Sequence, residues 1–513
     1  MDRTDNIYKN TIWKFISTIS GSLISFVCRY FFIHYIGDTL LGVNSLFSDV
    51  LVLFSFAEMG IGPALTYCLY DPISRHDTKK VQSLLGLYRK MYRGVMIIIT
   101  LIGIGFIPFL SYVKTDHPLS MLYLYYVFFI VNNVLSYVCA YKKSYVEACQ
   151  KAYCIQHITL ISSLLCNVFQ ISAIIILRNY VWYLFIMVAF QILSIVWSNY
   201  YISKHFPETV FGKVEKISES EWKGICKQIR GLLIQKIGSL GISQTDSLIV
   251  SMIVNVVEWG YVSNYNTIRV IANGFLYQIY SSILPSMGNV MATDTKERQK
   301  QLFRVYNLFN EWIYYNAFLI LALLSTPVIQ IVFGEQRTLD IGIVVLIAFN
   351  LFFAGLQYPI VGIKEANGLF TVGKWLPMIA CVVNLSTSVI LVKCLGTIGV
   401  FIGTICSSMV IYVQPYLVWK KVYGKGALYF YLTTLKTLGI GVVTFWGLYH
   451  FLYTAVWEMW TAHWVVRLVV LGASVVIISN LVFVLFYMWS DSFKECLIRL
   501  KKIIPSRWMN LVR

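Results

Sequence analysis

The stretch TIWKFISTISGSLISFVCRYFFIHYI, residues 11–36, is long and apolar enough to cross a bilayer as a helix. Lys14, Thr18, Ser22, Ser25 and Arg29 interrupt it at steps of four, four, three and four, which puts them on one helical face. The rest of the circumference is mostly Ile, Leu, Val, Phe and Tyr. An arginine inside a membrane span costs at least ~2.5–3.5 kcal/mol, so it is rarely left against lipid. This face is expected to look inward, toward water, a partner or a substrate. A second stretch, 227–255, repeats the device with Lys236, Ser239, Ser243 and Asp246 at steps of three, four and three. Two such helices in corresponding places predict a two-lobed molecule with a polar cleft between its lobes.

The composition agrees. Of 513 residues, 58% are hydrophobic and 13% charged, against roughly 45–50% and about 25% in soluble domains. Apolar runs recur from end to end, which predicts an all-α polytopic membrane protein. The net charge of +18 would suit nucleic acid in a soluble protein. Here the basic residues sit in short loops between spans, so no nucleic-acid partner is expected. Eleven cysteines lie mostly within apolar runs, with no CxxC pair and no metal-ligand spacing, and read as small buried hydrophobes. The first apolar segment is too long for a leader's core and lacks an Ala-x-Ala pattern, so it is read as the first membrane helix.

Apolar runs and breaks place spans near 11–36, 40–68, 86–112, 119–141, 154–177, 180–203, 227–254, 258–291, 303–332, 340–363, 371–393, 397–419, 428–453 and 463–489. That is about fourteen, which leaves both termini on one side. With the termini cytoplasmic, only Lys114, Arg178, Arg337 and Lys393 fall outside. Arg29, Lys236, Arg269 and Arg467 fall within spans, and the rest of the 42 Lys and Arg lie inside. This asymmetry fixes the expected orientation. The last outer loop carries Trp457, Trp460 and Trp464, as an aromatic belt does.

An internal repeat supports two halves. At an offset of 217–218, Gly42 falls on Gly260, Ser45 on Ser263, Ser25 on Ser243, and Asp77-Thr78-Lys79 on Asp294-Thr295-Lys296. The expected organisation is an N-lobe of six spans (1–203), a cytoplasmic linker (204–226) and a C-lobe of six spans (227–421). Two further spans (422–489) and an amphipathic tail (490–513) follow. Both halves have the same orientation, so their pseudo-two-fold axis is expected along the membrane normal.

The embedded charges are the candidate functional residues. Beyond Arg29, Lys236 and Asp246, the second span holds Asp49 and Glu58, and the eighth holds Arg269 on one face with Asn266 and Asn273. Membrane-embedded ionisable groups are functional candidates by default. A structural salt bridge between Arg29 and Asp246, or between Asp49 and either Arg29 or Arg269, is the plainer reading of each pair. Three cations near one cleft suit an anionic ligand, because guanidinium matches phosphate oxygens. Thr18, Ser22, Ser25, Ser239 and Ser243 would line the same cleft. Glu147 and Glu311 read as interfacial acids. No HExxH, no Ser/His/Asp arrangement and no Gly-rich phosphate loop occurs, so no metal, cofactor or enzymatic activity is expected.

The run Ala57-Glu58-Met59-Gly60-Ile61-Gly62-Pro63-Ala64, followed by Leu69-Tyr70-Asp71-Pro72-Ile73 and Leu87-Tyr88-Arg89-Lys90-Met91-Tyr92-Arg93, resembles bacterial polysaccharide repeat-unit flippases. These belong to the multidrug/oligosaccharidyl-lipid/polysaccharide exporter superfamily. Leu395-Gly396-Thr397-Ile398-Gly399-Val400-Phe401-Ile402-Gly403-Thr404 resembles the glycine-spaced entry to the twelfth helix of that group. The resemblance implies a V-shaped, two-lobed carrier in the bacterial cytoplasmic membrane. It would move undecaprenyl-diphosphate-linked oligosaccharide outward by alternating access, for capsule, O-antigen or exopolysaccharide synthesis. Arg29, Lys236 and Arg269 would then meet the diphosphate, with Asp49 and Asp246 moderating them. The relative that flips the peptidoglycan precursor holds sodium between its seventh, eleventh and twelfth helices. Asp246, Asn384, Ser388 and Thr404 resemble that set, although a second acid on the eleventh helix is missing. Coupling to Na+ or H+, a monomeric state, contact with membrane lipids and a polysaccharide polymerase as partner are the corresponding expectations. The alternatives are an ion-coupled multidrug or cation antiporter of the same fold, or a membrane glycan polymerase or ligase. The short outer loops weigh against the enzyme.

Overall fold

A computed structural model describes residues 3–503 except 56, 57, 59, 60, 212–217, 368 and 370. Every regular element among the described residues is helical. In chain order these are α1 (Arg3–Tyr35), α2 (Asp38–Phe54), α3 (Ile61–Ser74), α4 (Thr78–Phe106), α5 (Leu119–Ser136), α6 (Ala140–Ala148), α7 (Ala152–Leu177), α8 (Tyr180–His205) and α9 (Glu219–Ile249). There follow α10 (Val256–Thr293), α11 (Lys296–Phe333), α12 (Ile341–Leu356), α13 (Tyr358–Ala366), α14 (Leu376–Leu395), α15 (Thr397–Ile411), α16 (Gln414–Tyr423), α17 (Leu428–Gly447), α18 (Trp464–Tyr487) and α19 (Asp491–Ile503).

Among the described residues, eleven helices, with the broken pairs α5–α6, α12–α13 and α15–α16 each taken as one, are long and apolar enough to cross a membrane. The other three expected spans coincide with α2–α3, α9 and α10, which are also helical. Lys236 and Asp246 lie in α9, Glu258 and Arg269 in α10, and the second span is broken between α2 and α3. The breaks have local causes: Pro359 and Pro415 stand in the first turns of α13 and α16, where a proline's missing N–H costs nothing. The first part of the expected tail is helical as α19, and 504–513 lie outside the described residues.

Two compact units divide the chain by contacts. The first holds Met1–Ser263 with Ser388–Val400, and the second holds Asn264–Thr387 with Phe401–Arg513. In the first unit, α1 packs on α7, α7 on α8, and α3 on both α4 and α6. Its core gathers Leu65, Leu69, Leu85, Tyr88, Tyr92 and Tyr145. The segment between the spans expected at 119–141 and 154–177 is helical as far as Ala148. Its Lys142 is buried and donates to Asn199 Oδ1 at 2.7 Å and Ser203 Oγ at 2.9 Å on α8. Ser218 caps α9 in a reciprocal box with Glu221. Lys80, bonded to Glu221, holds that carboxyl below the ordinary glutamate range, with help from Ser218.

In the second unit, α11 is the central post, packed by α12, α17, α18 and α19. Tyr314, Tyr315, Phe318 and Phe352 fill the space around it. Gly355 on α12 lies against the Tyr314 ring, where an added Cβ would overlap ring carbons, and its carbonyl accepts from Asn310 Nδ2 at 3.0 Å. Gly355→Ala is therefore expected to cost about 1–3 kcal/mol by overpacking. A lowered unfolding midpoint of the purified protein, with membrane insertion unchanged, is the outcome to look for.

Candidate functional site

The site begins at the turn joining α1 to α2. Gly37 holds φ 107°, which side-chain-bearing residues rarely adopt, and lets α2 start at once at Asp38. Val256, where α10 starts, lies 218 residues after Asp38, and Lys296, where α11 starts, lies 218 after Thr78, where α4 starts. The faint sequence repeat is thus a repeat of helix starts.

Repeat-equivalent residues also touch. A Cβ built on Gly260 would meet Gly42 N at 3.1 Å and Gly42 Cα at 3.2 Å, and one on Gly42 would overlap the Val256 carbonyl. Backbones approach this closely only where both helices carry glycine. One turn further on, Ser45 Oγ and Ser263 Oγ are 2.9 Å apart. Into this crossing reaches Arg29 from α1. Its Nη2 donates to Ser45 Oγ at 3.3 Å, to the Gly260 carbonyl at 3.4 Å, and to Ser263 Oγ. Asp49 lies within electrostatic reach of Arg29 and accepts from Trp259 Nε1 at 3.0 Å. Charge-assisted bonds of this kind are worth roughly 1.5–3 kcal/mol each, enough together to offset the cost of an embedded guanidinium.

The same end of the first unit carries further ties. Lys114 N donates to Ser251 O and Val256 N to Lys114 O, each at 3.2 Å, which stitches the α4–α5 loop to the turn between α9 and α10. Thr397 donates to Glu258. These bonds account for the first unit holding both the start of α10 and the segment Ser388–Val400.

The remaining candidates are placed as follows. Thr18 and Ser25 are exposed and Ser22 is half-buried on α1, with Thr18 donating to the Lys14 carbonyl at 2.8 Å. The side chains of Lys236, Ser239 and Ser243 lie outside the described residues. Arg269 Nε donates to Asn266 Oδ1 at 3.0 Å on α10, and Asn273 is half-buried further along. Glu58 accepts from Tyr92 OH at 3.3 Å beside a cavity of about 530 Å³ that Thr66, Lys143, Ser144 and Glu147 also line. Of the ion-coupling set, Asn384 Nδ2 donates to Thr404 Oγ1 at 3.1 Å and Ser388 Oγ to the Val400 carbonyl at 3.2 Å, with Asp246 buried on α9. No cluster of metal-ligating side chains occurs among the described residues.

One reading is corrected. Glu311, read as an interfacial acid, is only 1% exposed and sits within a hydrogen-bonded shell. Asn307, four residues earlier on the same helix face, was the available signal. In the same way, Trp457 of the expected belt is buried, with the Arg467 guanidinium 4.8 Å over its ring and Arg467 Nη1 bonded to its carbonyl at 2.8 Å. Trp460 and Trp464 are exposed, as a belt requires.

Comparison with known proteins places the fold. The lipid II flippase MurJ in its inward closed conformation is 16% identical, with 94% of this chain and 100% of that chain covered at TM-score 0.64. The Vibrio cholerae MATE transporter VcmN, in its bent form, is 14% identical over 82% of this chain and 98% of its own at TM-score 0.53. An inward-facing MATE family multidrug resistance transporter is 12% identical, covered at 84% and 99%, with TM-score 0.54. No curated protein matches the sequence significantly. The profile described as "Polysaccharide biosynthesis protein" matches residues 7–291, more than half of the chain. This is a multi-pass helical membrane protein that belongs to the polysaccharide biosynthesis protein family and shares its fold with the MurJ and MATE structures.

Proposed function

We propose that the chain moves undecaprenyl-diphosphate-linked oligosaccharide from the cytoplasmic to the outer leaflet of a bacterial cytoplasmic membrane by alternating access. A diphosphate crossing hydrocarbon unaccompanied faces a prohibitive desolvation cost. The chain therefore needs embedded cations that are available in one state and engaged in another.

The observation that carries the reading is the Arg29 guanidinium held by two repeat-equivalent serines, Ser45 and Ser263. With both termini cytoplasmic, the α1–α2 and α9–α10 turns face outward, so in this reading the cluster lies at the outer end. Parting α2 from α10 frees one guanidinium and two hydroxyls together, the donor set that phosphate oxygens accept. In this reading Arg29 is a latch in the closed state and a diphosphate ligand in the open one. Asp49 keeps binding weak enough for release. The rival, a drug or cation antiporter of the same fold, fits a cluster led by arginine less well.

The test is transport by the purified protein in vesicles loaded with fluorescent lipid-linked oligosaccharide. Headgroups reaching the opposite leaflet faster than in protein-free vesicles support the proposal. Background rates in the same vesicles, with cationic drug uptake intact, would replace it with the antiporter.

A further inference from the structure

Away from the Arg29 cluster, the second unit holds a buried acid that the transport reading does not use. Glu311 on α11 is 1% exposed. Its carboxyl accepts from Asn307 Nδ2 at 2.7 Å and from Thr437 Oγ1 at 2.9 Å, and Tyr487 OH lies 3.5 Å away. Thr437 belongs to α17 and Tyr487 ends α18, so three helices meet at one carboxyl.

The positions of the hydroxyls permit two proton counts. Thr437 Oγ1 has three neighbours but one hydrogen: Glu311 Oε2 at 2.9 Å, its own helix's Thr433 carbonyl at 3.0 Å, and Tyr487 OH at 2.6 Å. With Glu311 ionised, Thr437 points its hydrogen at the carboxylate. With Glu311 protonated, the carboxylic acid donates to Thr437 Oγ1, and the Thr437 hydrogen turns to the Thr433 carbonyl. Every polar atom of the trio keeps a partner in both states, and the exchange needs only hydroxyl rotation. A buried acid with a single fixed state has no need of a donor with two acceptors at nearly equal distances.

Charged and phenolic groups stand on each of the packed elements. On α17, Lys436 Nζ lies 4.2 Å over the Tyr487 ring and donates to the Phe486 carbonyl at 2.8 Å. Tyr412, just past the end of α15, and Tyr429 on α17 add phenols whose fields reach Glu311 and Tyr487 respectively. On α19, Glu495 is taken up by Arg298 at 3.5 Å near the start of α11. The α12 side offers the Gly355 carbonyl, bonded by Asn310.

We propose that Glu311, with Thr437 as rotor and Tyr487 as the outer hydroxyl, is a reversible proton-binding site that joins α11 to α17 and α18. It is distinct from the ion set on α9, α14 and α15. Protonation replaces a bond received from α17 with one given to it. This lets the proton count report on, or bias, the fit of the last two membrane helices against α11.

The test is pH-difference infrared spectroscopy of the protein in lipid films, from about pH 5 to about pH 9. A carboxylic C=O band present in acid and lost in alkali is expected in the wild type. Glu311→Gln should lack it, and Tyr487→Phe should keep it at a shifted frequency. If Glu311→Gln fails to fold, carbon-13 labelling identifies the band as a glutamate's and its frequency shift in Tyr487→Phe assigns it to Glu311. A glutamate band that never changes with pH, or one untouched by Tyr487→Phe, would overturn the site. Loss of the band on exchanging choline for sodium at constant pH would overturn it too, in favour of a metal cation. None of these readouts depends on which lipid is carried.

Discussion

Arg29→Ala is expected to abolish the proposed transport while the protein still inserts. Arg29 bonds both Ser45 and Ser263, and its loss acts on both states of the cycle. In the closed state the two serines keep their contact with each other, 2.9 Å apart, but lose the charge that ties them together. In the open state the diphosphate loses a two-pronged, permanently charged donor. Two hydrogen bonds to a charged group, at about 1.5–3 kcal/mol each, are worth about 3–6 kcal/mol together. Applied to the transport barrier, that is a fall of roughly 100-fold or more. Insertion should survive, since alanine is easier to insert than arginine. Arg29→Lys keeps the charge but not the fork, and should retain only a small part of the rate. The measurement is flipping of lipid-linked oligosaccharide per copy of protein in the membrane, and full activity of Arg29→Ala would remove the residue from the mechanism.

Gly42→Ala has the second large effect, and it should change which state is populated. A Cβ at Gly42 runs into the Val256 carbonyl, which is backbone and has no rotamer to change. A Cβ on Gly260 would itself lie only 3.1 and 3.2 Å from Gly42 N and Cα, so the partner helix has no room to give and α2 and α10 can only move apart. An overpacking cost of about 1–3 kcal/mol confined to the closed state shifts the equilibrium about 5- to 150-fold toward the open one. A cysteine at Ser45 should then become accessible from outside to an impermeant thiol reagent in the Gly42→Ala background, having been shielded without it. Unchanged shielding would mean that the crossing is not a gate.

Much of this was written in the sequence, and the reason is local. Helix-period stripes show on one strand of text, so the polar face of α1 and the charged α9 and α10 were legible from spacing alone. The repeat also predicted Gly42 with Gly260 and Ser45 with Ser263 as equivalents. That equivalents would touch each other could not be read, because contact depends on how two helices cross. Glu311 was misread for the opposite reason. Asn307 is four residues away, but Thr437 and Tyr487 lie 126 and 176 residues further along the chain. Without them an acid some four turns into a helix looks interfacial. Lys142 fails in the same way: it counts as a loop charge until Asn199 and Ser203, 57 and 61 residues on, are seen to take it up. Patterns carried on one helix survive the loss of the third dimension, and buried polar partners on distant helices do not.

The central claim is that Ser45 and Ser263 meet at the outer end in one state and part in the other. It is tested most directly by the paired substitution Ser45→Cys and Ser263→Cys in cell membranes. The pair should cross-link readily with oxidant, lose transport when linked, and recover it on reduction. A pair that never cross-links, or that transports at full rate while linked, would contradict the account.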